Sequence, residues 1–244
     1  METLAQLGGG AFTLACLVIG LRLVLLSIRT RRLPELLVGA GLFLMAGVGY
    51  PLSAVARQTP GLALATRTSL GSLAAGCVVV GVAANTAFTY LLFRRGVLWA
   101  RALLAAVTCI GVGLFAAESA AGSWERGSAY FWPWIPGAIM LSMGWGYVEC
   151  TRYHRLLRRR LRLGLADPVV TDRFRLYAAA TLSGSIANGV GWIFWALGLE
   201  MLSNPLGAPL LAILGGSSAV LMWLAFLPPR AYLVRVRMRA ARAV

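Results

Sequence analysis

Seven stretches of this sequence run for about 20 residues with few or no charged side chains, and nothing else in it constrains the fold as strongly. A helix rises about 1.5 Å per residue, so about 20 apolar residues cross the roughly 30 Å hydrocarbon core of a bilayer. The runs lie near 6–28, 35–56, 69–93, 98–117, 130–150, 174–199 and 206–227. Charged residues make up 13% of the 244-residue chain and apolar ones 59%; soluble domains carry about a quarter charged. That balance excludes a soluble globular domain, and the apolar surplus excludes a disordered chain. The sequence predicts an all-α integral membrane protein, a seven-transmembrane-helix bundle over 1–229, followed by a basic tail over 230–244.

Orientation follows from arginine. All 23 basic residues are Arg, and the net charge is +15. With the N-terminus outside, 20 of the 23 fall on the inner side and only Arg57, Arg67 and Arg126 on the outer side. The positive-inside rule therefore gives N-outside, C-inside, which requires an odd number of spans. Arg22 and Arg101 lie inside runs but close enough to inner ends to snorkel. The expected location is a bacterial inner membrane. Basic charge in this setting marks topology, so nucleic acid is not an expected partner.

One loop is long. Residues 151–173 keep Tyr153, Leu156, Leu157 and Leu161 at helical spacing among arginines. Helix five is expected to continue past the membrane or to lie along its surface, with Gly164 ending it. Asp167-Pro168 reads as an N-cap followed by proline in the first turn of helix six. Arg155, Arg158, Arg159, Arg160 and Arg162 form a cytoplasmic basic face for anionic headgroups or an acidic protein partner. In the tail, Arg235, Arg237 and Arg239 alternate with apolar residues after Pro228-Pro229. Such a tail suits a surface amphipathic helix, although strict alternation fits a helix poorly.

Spans one to three and five to seven would run in the same direction, as a parallel 3+1+3 repeat requires. Gly47-Val48-Gly49-Tyr50 in span two echoes Gly189-Val190-Gly191-Trp192 in span six, and Leu70-Gly71 echoes Leu206-Gly207. The arrangement resembles that of the SWEET sugar transporters. Their Pro-Gln signature is absent, and their asparagine pair is half met: Asn85 is present, but the offset partner is Leu221. Trp192-Ile193-Phe194-Trp195 is similar to the paired tryptophans of nicotinamide-riboside transporters. The seven-helix, N-outside plan also resembles rhodopsins and other seven-helix receptors, without a receptor motif.

Polar groups at membrane depth are costly, so the few present carry information. Asn85 and Asn188 are candidates to bind a ligand's hydroxyl or carbonyl; the competing role is hydrogen bonding between helices. Tyr50, Trp192 and Trp195 suggest a mostly apolar pocket for a small hydrophobic or aromatic ligand. Tyr130 to Trp134 read as an interfacial aromatic belt. Glu149 is expected to pair with Arg152 or another inner arginine. No carboxylate falls mid-span, which weighs against a proton relay.

The chemistry the chain lacks is equally informative. Without lysine there is no covalent retinal, and one histidine, His154, cannot give bis-histidine haem. The four cysteines lie in apolar runs as small hydrophobes, with no metal-ligand spacing. No catalytic motif is present, so an enzyme is not expected. The expected function is a receptor- or sensor-like membrane protein. The alternatives are a facilitative small-molecule transporter or a non-catalytic membrane subunit.

Overall fold

The computed structural model describes residues 2–122, 124, 131–199, 201 and 204–241, with side chains described from Gln6 to Met238 within that set. Among the described residues there is helix and no strand. The long helices are α1 (Glu2–Thr30), α2 (Leu33–Gln58), α3 (Leu64–Phe93), α4 (Leu98–Ala121), α5 (Phe131–Arg162), α6 (Pro168–Ala196) and α7 (Gly207–Phe226), followed by a short α8 (Arg230–Ala241). Five of them, α1, α2, α3, α4 and α7, are long and apolar enough to cross a membrane. The described parts of α5 and α6 fall short of that apolarity because Trp, Pro, Gly, Ser and Asn interrupt their leucines and isoleucines.

The packing is a ring. α1 contacts α2, α2 contacts α3, α3 contacts α5, α5 contacts α6, α6 contacts α7, and α7 returns to α1. α4 lies outside the ring against α3 and α5. Small residues allow the close approaches. A Cβ on Gly8 would sit 2.6 Å from the Ala212 backbone, and one on Gly81 would sit 2.6 Å from the Met45 amide nitrogen. Such contacts replace hydrophobic burial as the source of cohesion when the solvent is itself apolar. The outer surface fits that solvent: Leu7, Leu14, Leu21, Leu25 and Ile28 form an exposed apolar stripe along α1.

The sequence does not announce one feature of α2. Its middle, Gly41–Gly49, is a π-helix, and the Tyr50 amide donates to Met45 O five residues back. Pro51 follows at once and has no N–H to continue the regular ladder. Wide turns of this kind are frequent at functional sites, and this one leads directly into Tyr50.

Helix ends follow their local chemistry. α5 runs to Arg162 and closes with Gly164 at φ +70°, Gly164 N donating to Leu161 O and Leu165 N to Arg160 O. Asp167 Oδ1 accepts from Val169 N at 2.7 Å, which caps α6. α8 is helical despite its alternating arginines, because it docks on α6: Tyr232 Oη donates to Asp172 Oδ2. Cysteine burial is uneven. Cys16 and Cys150 are buried, Cys77 is half-buried, and Cys109 is exposed on the outlying α4.

Candidate functional site: an axial cavity

A cavity of about 570 Å³ opens at the arginine-poor end of the ring, walled by α1, α2, α5, α6 and α7. Most of its lining is apolar or glycine, including Gly9, Phe12, Ile135, Ile139, Met143, Leu211 and Leu214. Its polar lining includes Tyr50, Asn188 and Arg57. Tyr50 Oη donates to Asn188 Oδ1 at 3.2 Å, and Asn188 Nδ2 donates to Gly184 O at 2.9 Å. Arg57 stands nearer the mouth. Its Nε donates to Ser53 O at 3.3 Å, its Nη2 reaches Ser53 Oγ at 3.4 Å, and its guanidinium lies 5.0 Å over the Trp132 ring. The guanidinium is thus aimed by a backbone carbonyl, a hydroxyl and an aromatic face. Among the described residues no carboxylate pairs with it.

A second, smaller cavity of about 320 Å³ lies at the arginine-rich end, walled by α1, α2, α3, α6 and α7. Phe88, Tyr177 and Phe226 line it, packed edge to face, together with Glu35 and Arg173. Glu35 Oε2 is buried without a hydrogen-bond partner among the described residues. Four helices place the two cavities on one shaft. Along α1 the order is Gln6 to Thr13 at the first cavity, then buried Ala15, Cys16 and Ile19, then Leu23 and Leu26 at the second. The same three-part order recurs along α7, with Leu211 to Ser218, then Ala219 and Met222, then Ala225 and Phe226. α2 and α6 repeat it in the opposite direction, through Leu42 and Ala46 and through Ala178 and Ala180.

The expected site residues separate into three groups. Tyr50 and Asn188 come together at the wall of the larger cavity. Asn85 does not line it. Its Nδ2 donates to Ser142 Oγ at 3.0 Å, its Oδ1 accepts from Tyr177 Oη at 3.3 Å, and Thr86 Oγ1 donates to the same Ser142 hydroxyl at 2.8 Å. This buried knot ties α3 to α5 and α6. Trp192 and Trp195 also stand off the cavity. One and two turns beyond Asn188, both rings meet Trp134 of α5, with centroids 6.2 and 6.0 Å away. Trp195 is 48% exposed, on the outer surface of the ring. Tyr130 lies outside the described residues.

Ser183 and Ser218 join α6 to α7 by bonds to Leu214 O and Ala180 O. Glu149 gathers Arg94 at 2.9 Å, Arg152 at 3.3 Å and the Trp145 indole at 3.4 Å. The sequence reading passed over Arg57 and Trp132 as site residues. The available signal was an arginine four residues after Ser53, on the side that holds few.

No family model, curated protein or solved structure matches the chain. Its site must be read from its own geometry. Among the described residues no group of three His, Cys, Asp or Glu could hold a metal ion. The larger cavity can accept a small molecule with an apolar body. Tyr50, Asn188 and Arg57 would meet a carbonyl, hydroxyl or carboxylate on it.

Proposed function

We propose that this chain is a seven-span protein of a bacterial inner membrane, N-terminus outside, and a facilitative transporter of a small, largely apolar molecule with an acidic or acceptor group. The observation that carries this reading is the shaft: two cavities at opposite ends, separated by one packed layer on the same four helices. Alternating access needs such a shaft, with a barrier that can shift from one side of the ligand to the other.

The ring supports the count of seven spans. α5 and α6 close it between α3 and α7, so a bilayer around the five apolar helices also surrounds these two. Orientation rests on the arginine count. The contact order suits a parallel repeat. Mapping α1 to α5, α2 to α6 and α3 to α7 preserves every neighbour pair in the ring, with the α3–α5 contact matching α7–α1, and leaves α4 as the linker outside. The Gly-Val-Gly echo falls on equivalent contacts, since Gly47 of α2 packs on Leu17 of α1 and Gly189 of α6 on Met140 of α5.

A receptor-like reading, with ligand in the same cavity and a partner on the basic inner face, is favoured by the extension of α5 to Arg162. It gives binding without flux. The test is gentle purification in native-lipid particles with mass spectrometry of retained small molecules. Asn188→Leu should abolish retention, and Trp192→Ala should leave it. Flux of the retained molecule into proteoliposomes then supports the transporter, and binding without flux supports the receptor. Retention unchanged in Asn188→Leu contradicts the cavity.

A further inference from the structure

A third hollow, of about 440 Å³, lies at the arginine-rich end, off the axis. Three elements build it: the last turns of α5, the first turns of α6, and α8. The expected basic face resolves here into one inward residue and four others. Arg158 lines the cleft, whereas Arg155, Arg159, Arg160 and Arg162 do not. Arg175 and Arg235 line it from the other two elements, with His154 beside them.

The charge in the cleft is unbalanced. Its one carboxylate, Asp172, is already engaged: Arg175 Nη2 lies 2.6 Å from Oδ1, and Tyr232 Oη donates to Oδ2. The Tyr232–Asp172 bond joins α8 to α6 across the cleft. Arg158 and Arg235 have no carboxylate partner among the described residues. His154 Nδ1 is 2.9 Å from Thr171 O, and a carbonyl only accepts, so Nδ1 carries the proton and donates. The ring is thereby fixed in orientation with Nε2 as its other polar atom.

Two guanidiniums without a carboxylate partner lining one cleft are donors for an oxyanion. The surroundings say where that anion comes from. Leu161 and Val236 form apolar walls. Around the cleft Leu163 and Leu165 are 72% and 73% exposed, and Leu156, Val234 and Met238 are exposed too. Apolar side chains interleaved with arginines belong at the boundary of headgroups and acyl chains, not in bulk water.

We propose that this cleft is a specific site for the phosphate of an anionic phospholipid of the surrounding leaflet, bound by Arg158 and Arg235 with His154 alongside. It rests on the membrane reading and is independent of the axial cavity. Basic pockets next to spanning helices suit such headgroups, and each nearby arginine adds to the attraction. The site fastens α8 to the bundle through a lipid, so anionic lipid content would set how firmly the tail is docked.

The test compares two variants of equal charge by native mass spectrometry, with the full chain in micelles holding phosphatidylglycerol or phosphatidylcholine. Arg158→Ala with Arg235→Ala removes the cleft's two guanidiniums that lack a carboxylate partner. Arg159→Ala with Arg160→Ala removes the same charge beside it, from exposed positions on the same helix. The expected result is one retained phosphatidylglycerol on the native chain, lost at least tenfold in the cleft variant and kept in the control. Equal loss in both variants would overturn the site, as would equal retention of phosphatidylcholine. Glycerol 3-phosphate in matched amount should not displace the lipid; displacement would assign the site to a soluble phosphate ester and overturn the lipid proposal.

Discussion

Asn85 and Asn188 are the same side chain in the same bundle, and their surroundings give them different work. Asn85 is 6% exposed, away from the larger cavity, and its two partners, Ser142 and Tyr177, come from two other helices, with Thr86 bonded to the same Ser142 hydroxyl. Asn188 also makes two bonds, to Tyr50 and Gly184, but at a cavity wall with Arg57 nearer the mouth. Hydrogen-bond count does not distinguish glue from site, because both amides are engaged. What distinguishes them is whether a third molecule can reach the pair. A knot closed on itself fixes helix positions, whereas a pair at a cavity wall can exchange a protein partner for a ligand.

That contrast can be broken most forcefully at the glycines that set helix spacing. Gly81→Val should cost about 3 kcal/mol or more, because its Cβ would lie 2.6 Å from backbone of α2. Thermal unfolding in lipid particles should show loss of the native peak. Gly9→Ala, at a cavity-lining position with nothing within 4 Å, should be tolerated. Asn85→Leu should cost about 1–3 kcal/mol, since Ser142 and Tyr177 lose a partner in a dry interior. Asn188→Leu should cost less than about 1 kcal/mol, because the cavity lets water reach the Tyr50 hydroxyl. It should nevertheless lower ligand retention at least tenfold. Equal thermal shifts for the two asparagines would erase the distinction.

The most local effect belongs to the tail. Tyr232→Phe should weaken docking of α8 by about 0.5–1.5 kcal/mol, read as faster amide exchange over Arg230–Ala241. Partial burial and the Asp172 carboxylate hold the Tyr232 phenol above its ordinary value. Its contribution is therefore fully present below the ordinary tyrosine range near pH 10 and is lost only as pH rises beyond it. Amide protection in the tail, taken relative to the intrinsic exchange rate at each pH, should not change between about pH 6 and 9.

Much of this was legible in the sequence, for identifiable reasons. Helix ends were readable at Asp167-Pro168 and Gly164, where one residue's chemistry decides the local backbone. Glu149 found Arg152 as spacing required, and it also found Arg94, which only the fold could supply. Tyr50 and Asn188 were both marked, but their contact spans 138 positions and depends on how α2 and α6 face each other. Trp192 matches Tyr50 in the Gly-Val-Gly echo, which favoured placing it and Trp195 in one pocket with Tyr50. The fold sets both rings against Trp134 instead. The π-helical segment before Tyr50 had only its glycines and Pro51 as a signal. The cleft at Arg158 was invisible because its other walls, Arg175 and Arg235, come from separate helices.

The central claim is that the Asn188 wall opens to the outside while the Asn85 side chain, which lines neither cavity, is closed to both sides. It is tested most directly by thiol labelling on intact cells, in a background with Cys16, Cys77, Cys109 and Cys150 replaced by serine or alanine. Asn188→Cys should react with a membrane-impermeant maleimide added outside, and Asn85→Cys should react from neither side. Labelling of Asn85→Cys from outside at a similar rate, or of Asn188→Cys only after the inner face is exposed, would contradict the account.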